Sequence, residues 1–142
     1  MPLNYLVYVS SSYGLMKKTD LDELLRKARE NNVRDNITGM LLYKDGSFMQ
    51  AMEGEEANVA RLHDKILMDS RHRSIITLLR GTLKERQFSE WSMAFTNIDS
   101  LSQTERDGFS PFLNEAFTAD YFGENPHSAL KLLLSFKKNL RR

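Results

Sequence analysis

The chain has 142 residues, with twenty basic and nineteen acidic side chains and a formal charge of +1. A chain of this length suits one domain that buries its own core without disulfides or metals. It has no cysteine, which excludes a disulfide framework, a thiolate zinc site and a cysteine nucleophile.

Residues 3–10 (LNYLVYVS) are rich in β-branched and aromatic types and read as a strand apolar on both faces. Alternation puts Leu6, Tyr8 and Ser10 on one face and Tyr5, Val7 and Val9 on the other. A polar stretch from Ser10 to Lys18 leads to Thr19 and Asp20, which offer helix caps; Asp20 and Glu23 have capping-box spacing. Leu21, Leu24, Leu25 and Ala28 then recur at helical spacing, and the stripe continues to Asn31 and Asn32. Residues 37–43 (ITGMLLY) read as a second strand and Asp45-Gly46 as a two-residue hairpin turn. Residues 48–53 (FMQAME) return as a third strand, ended by Glu53-Gly54. Residues 56–68 read as a helix with Val59, Leu62 and Ile66 on one stripe. Residues 75–83 and 88–96 read as two further strands joined by a short polar connection.

The order β-α-β-β-α-β-β belongs to the α+β class. Its first six elements have the ferredoxin-like split βαβ arrangement. There the first and third strands are neighbours at the centre of the sheet, and two helices lie on one face. Residues 1–98 are expected to form this domain and residues 99–142 a helical extension. Two C-terminal helices are expected, over 101–117 and 127–140. The second, with Leu130, Leu133, Leu134 and Phe136, is expected to cover the open face of the sheet or to meet a partner.

Several chemistries find no support. His63, His72 and His127 lack metal-ligand spacing, and no phosphate-binding glycine loop or nucleophile elbow is present. No nucleophile stands beside a base, so an enzyme is not expected. The first residues do not read as a signal peptide, and the apolar runs are too short to span a membrane. A cytoplasmic location is expected, with neither membrane nor nucleic acid as partner. Lys131, Lys137, Lys138, Arg141 and Arg142 read as a solvated helix end.

The informative residues break the core pattern. Gln50 shares a strand face with Phe48 and Met52. If the first and third strands are neighbours, Tyr8 and Gln50 lie across from one another. A buried amide without partners costs roughly 1–3 kcal/mol. Glutamine offers a donor and an acceptor, so it can bridge a tyrosine hydroxyl and a heteroatom-rich ligand. Asn31 and Asn32 can pair with the edge of a flat heterocycle, or cap the helix, since asparagine tolerates the left-handed conformation. Trp91, Met93 and Phe95 share a face of the last strand and suit either a core or an aromatic ligand. Arg71 and His72 are a basic pair near a helix end.

Taken together, the pattern resembles the BLUF family, the blue-light sensors using FAD. The matching pieces are Tyr8, Asn31-Asn32, Asn36-Ile37-Thr38-Gly39, Leu42-Tyr43, Gly46, Phe48-Met49-Gln50, Glu53-Gly54, Asp69, Arg71-His72 and Trp91-Ser92-Met93. They agree in type, order and spacing over about residues 3–97. The resemblance implies that FAD lies between the two helices, flanked by Leu24 and Ile66, with Asn31 and Asn32 on its polar edge. It implies Gln50 near the flavin and Tyr8 bonded to Gln50, with Lys65, Asp69, Arg71 and His72 around the pyrimidine edge or the tail. It implies a switch in which Tyr8 gives an electron and a proton to the excited flavin and Gln50 ends in a new orientation or tautomer. Trp91 and Met93 would carry the change outward, to a downstream signalling protein or a homo-oligomer. Two alternatives stay open: an interaction or small-ligand module of this fold without photochemistry, and an acyl-phosphate hydrolase using an Arg and an Asn.

Overall fold

A computed structural model describes residues 3–12, 16–44, 46–69, 72–88 and 94–98, together with Lys131 and Leu133. The elements are β1 (Leu3–Ser12), α1 (Lys18–Arg34), β2 (Thr38–Lys44), β3 (Ser47–Glu55), α2 (Glu56–Leu67), β4 (His72–Leu83) and β5 (Ala94–Asn97). Among the described residues they form one five-stranded sheet in the order β4-β1-β3-β2-β5. β1 runs antiparallel to both β3 and β4, β2 is antiparallel to β3, and β5 is parallel to β2. The ferredoxin-like α+β arrangement expected from the sequence is therefore present, with one strand added at the β2 edge.

Local chemistry sets the boundaries. α1 begins before Thr19, because the Lys17 N–H donates to Asp20 Oδ2 at 3.3 Å. Asp20 thus closes the first turn as its third residue rather than opening the helix, which corrects the expected cap. α1 also runs through Asn31 and Asn32 to Arg34, so neither is its cap. The left-handed residue is Asn36, at φ 54°, and the Ile37 N–H returns to the Asn32 carbonyl at 2.8 Å. Between β2 and β3, Gly46 takes φ 80°, which glycine adopts without a Cβ penalty. Lys44 and Ser47 pair on either side, giving the expected two-residue hairpin. β3 continues through Gly54 to Glu55, past the expected stop at Glu53. β4 starts at His72, three residues before the expected start. β5 is seen from Ala94, and Phe88 lies in a bend ahead of it rather than in the strand.

The sheet separates two apolar layers. On one side Leu21, Leu24 and Leu25 of α1 pack on Leu41, Tyr43 and Phe48, while Val59 of α2 packs with Leu6, Ile37 and Met52. On the other side Val7, Val9, Met40, Leu42, Met49 and Ala51 form a second layer with Phe88, Ala94 and Ile98. Leu133 is helical, fully buried and part of this far layer. The other residues of the two expected C-terminal helices lie outside the described residues, apart from Lys131.

Candidate functional site

Pairing of β1 with β3 places Tyr8 opposite Gln50, and pairing of β2 with β3 places Leu41 on the other flank of Gln50. All three side chains are buried. The Tyr8 hydroxyl donates to Gln50 Oε1. The pairing of β1 with β4 is irregular between Val7 and Tyr8, where Leu78 is the extra residue on β4. Bulges of this kind recur beside functional sites, where they re-aim a side chain.

Burial pushes the Tyr8 phenol well above the ordinary tyrosine value, and the Asp69 carboxylate adds to the shift. Tyr8 is consequently a protonated hydrogen-bond donor at every physiological pH. Gln50 has its acceptor oxygen turned toward that donor, and carries a donor nitrogen on the same planar group.

Above these residues a cleft with a cavity volume of about 150 Å³ opens between the helices. α1 lines it with Leu24, Lys27, Ala28, Asn31 and Asn32, and the α2 side with Leu62, Lys65, Ile66 and Asp69. The lining falls at Leu24, Lys27, Ala28 and Asn31 on α1 and at Leu62, Lys65 and Ile66 on α2, one helical stripe turned toward the other, with Asp69 just past the end of α2. Small-molecule sites are typically mainly apolar, with a few placed polar groups. Here Leu24, Ala28, Leu62 and Ile66 give apolar walls, Asn31, Asn32 and Gln50 give amides, and the exposed Lys27 and Lys65 stand at the solvent side. That donor set fits FAD: apolar walls for a flat ring, amides for its alternating carbonyl and N–H edge, ammonium groups for its diphosphate.

Eight residues named from the sequence line this one cleft: Tyr8, Leu24, Asn31, Asn32, Gln50, Lys65, Ile66 and Asp69. His72 lies on β4 with its backbone opposite Ser12. Its side chain, and the whole of Arg71, Trp91 and Met93, lie outside the described residues. Sequence reasoning missed Lys27 and Leu41 and took Ala28 and Leu62 as plain core. The helical spacing from Leu24 reaches Lys27, and the hairpin register opposite Gln50 reaches Leu41.

Comparison with known proteins agrees with this geometry. The family described as BLUF, sensors of blue-light using FAD, matches residues 3–94. The photoactivated adenylate cyclase subunit beta of Euglena longa is 33% identical over 101 residues, which is 70% of this chain. The chain spans only 12% of the length of that relative. Among solved structures, BlsA in its ground state is 32% identical with a TM-score of 0.72, covering 93% of this chain and 87% of that one. The dark-state structure of BlrB, a BLUF protein, is 26% identical with a TM-score of 0.75, covering 96% and 97% of the two chains.

Proposed function

The chain belongs to the BLUF family, the sensors of blue light using FAD, and from that premise we propose that Tyr8 and Gln50 are its light-operated switch. The matched domain is a flavin photosensor rather than an enzyme, which sets aside the hydrolase alternative. Bound FAD supplies a blue-absorbing chromophore that accepts an electron and a proton when excited. Tyr8 is the donor of both, since burial keeps its phenol protonated. Its proton leaves along the hydrogen bond to the Gln50 carboxamide. That carboxamide has an acceptor at one end and a donor at the other. The electron and the proton then return to Tyr8 with no net oxidation, and rotation or tautomerisation of the carboxamide exchanges its two ends and reverses the sense of every contact the group makes. The altered contact is the stored signal, a local hydrogen-bond change biasing a packed element.

Leu24 and Ile66 flank the ring in this proposal, Asn31 and Asn32 hold its polar edge, and Lys27 and Lys65 meet the diphosphate. Asp69, Arg71 and His72 are further candidates around the edge and tail, and Trp91 and Met93 for carrying the change outward. The signal then passes to a downstream protein or a homo-oligomer, read through residues 99–142. The burial of Leu133 on the far layer supports that role for the extension. Among the described residues no helix is long and apolar enough to cross a membrane. A cytoplasmic location is part of the same proposal.

One observation carries the proposal: a buried tyrosine bonded to a buried glutamine at the floor of a cleft between two helices. The purified protein should be yellow, and blue light should shift its absorption reversibly to the red. Tyr8→Phe and Gln50→Leu should each keep flavin and lose the shift. A full shift in Gln50→Leu would overturn the role given to that residue.

A further inference from the structure

Three residues beyond Gln50 on β3, Glu53 is buried at 2% exposure and lies outside the cleft lining. Alternation turns it to the same side of the strand as Met49 and Ala51. Burying a carboxylate is costly unless hydrogen bonds compensate it. Here the compensation comes from the connection between β4 and β5. The Gln87 N–H donates to Oε2 at 2.8 Å and the Phe88 N–H to Oε1 at 2.6 Å. The Thr38 hydroxyl adds a third bond, to Oε1 at 3.2 Å.

Arg86 closes the cluster from outside. Its Nη1 donates to Thr38 Oγ1 at 2.9 Å and to the Glu53 carbonyl at 3.1 Å, and its Nη2 to the Asn36 carbonyl at 2.8 Å. Asn36 belongs to the corner that ends α1, where the Ile37 N–H holds the Asn32 carbonyl. A chain of bonds therefore runs from the helix end carrying Asn31 and Asn32, through Arg86, Thr38 and Glu53, to the backbone of Phe88. The Phe88 ring in turn sits in the far layer with Ala94, Ile98 and Leu133. Cleft and far layer lie on opposite sides of the sheet, and this cluster joins them around it.

We propose that Glu53 is a positioning residue for output: with Arg86 it ties the far layer to the strand and helix end that hold the photoswitch, so that the lit state reaches Phe88 and Leu133. This rests on the switch proposed above. Fully satisfied buried polar networks favour one arrangement and release it together. Glu53→Gln would keep an acceptor for one of the two backbone N–H groups and set a donor against the other, and would loosen the connection with little change in volume.

The test is amide hydrogen exchange on the full FAD-loaded chain, in the dark and under blue light, beside its absorption spectrum. The parent should show a red shift together with a light-dark exchange difference in segments holding residues 84–98 and 128–136. Glu53→Gln should keep the flavin and the red shift, exchange faster at Gln87 and Phe88 in the dark, and lose the light-dark difference. Arg86→Gln, at a half-buried position, should act in the same direction and decides the matter if Glu53→Gln does not fold. A light-dark difference of parental size in the folded variants overturns the proposal. So does a parent whose far segments ignore light while its spectrum shifts. A parent with flavin and no spectral shift overturns the switch itself instead.

Discussion

The face of the sheet beneath the helices carries Tyr8, Ser10 and Gln50 among its apolar residues, whereas the middle of the far face presents Val7, Val9, Met40, Leu42, Met49 and Ala51, with buried Glu53 toward the end of β3. Both faces are buried to a similar degree, so burial does not distinguish them. What differs is the kind of order each imposes. Apolar packing tolerates many small adjustments at similar energy, while a phenol bonded to a carboxamide has a few discrete arrangements separated by donor-acceptor direction. A switch needs discrete states and a transmitting layer needs cohesion, and the two faces divide these tasks.

The comparison breaks if stability and switching respond alike to substitutions on the two faces. The largest effect is expected on the far side. Leu42→Ala should destabilise by about 2–5 kcal/mol through lost contacts and a cavity, read as a lowered denaturation midpoint. The folded fraction should still shift its spectrum. Loss of the shift in folded Leu42→Ala would show that the faces are not separable.

On the helix side, Tyr8→Phe removes a donor from Gln50 and should cost roughly 1–3 kcal/mol while abolishing the shift. The same residue has an alkaline signature. Burial raises its folded-state pKa above the unfolded value of about 10. Its contribution is therefore complete below that value and is lost as pH rises beyond it toward the higher folded value. Denaturation of the parent between about pH 9.5 and 11 should show a steeper loss of stability than Tyr8→Phe. Equal slopes would mean that the phenol is not held in the way described.

The smallest effect is expected at the solvent side of the cleft. Lys27→Gln and Lys65→Gln should each weaken FAD roughly fivefold or less, in keeping with exposed ion pairs, and leave riboflavin affinity unchanged. Calorimetry with both ligands decides this. Equal losses for riboflavin would place the lysines against the ring instead of the diphosphate.

Sequence periodicity reached the helix side of the molecule well because its logic is local. Tyr8 and Gln50 each sit at a definite phase of a strand, and the βαββ order makes those strands neighbours, so their meeting follows. The two helical stripes facing the cleft were likewise readable, apart from Lys27, which looks like any solvated lysine between core positions. Boundaries were less readable. The cap of α1 fell at Lys17, a residue with no cap signature in its own chemistry, because Asp20 reaches back to its N–H. The cluster around Glu53 was not legible at all. Glu53-Gly54 reads as the end of a strand, and Arg86 as a polar connection. Their bonds link residues 33 to 35 positions apart. Such a pairing has no period, and only the folded connection brings its members together.

The order of strands has one further consequence. β4 lies at one edge of the sheet and β5 at the other, yet only ten residues separate Leu83 from Ala94. Four strand spacings of about 4.8 Å amount to roughly 19 Å of crossing, against a reach of about 33 Å for ten extended residues. That reach leaves slack, and in the described part of the connection, residues 84–88, Glu53 on the central strand holds Gln87 and Phe88. A slack strap is located by its buckle and not by its tension, so the two bonds to Glu53 fix where this connection lies on the sheet.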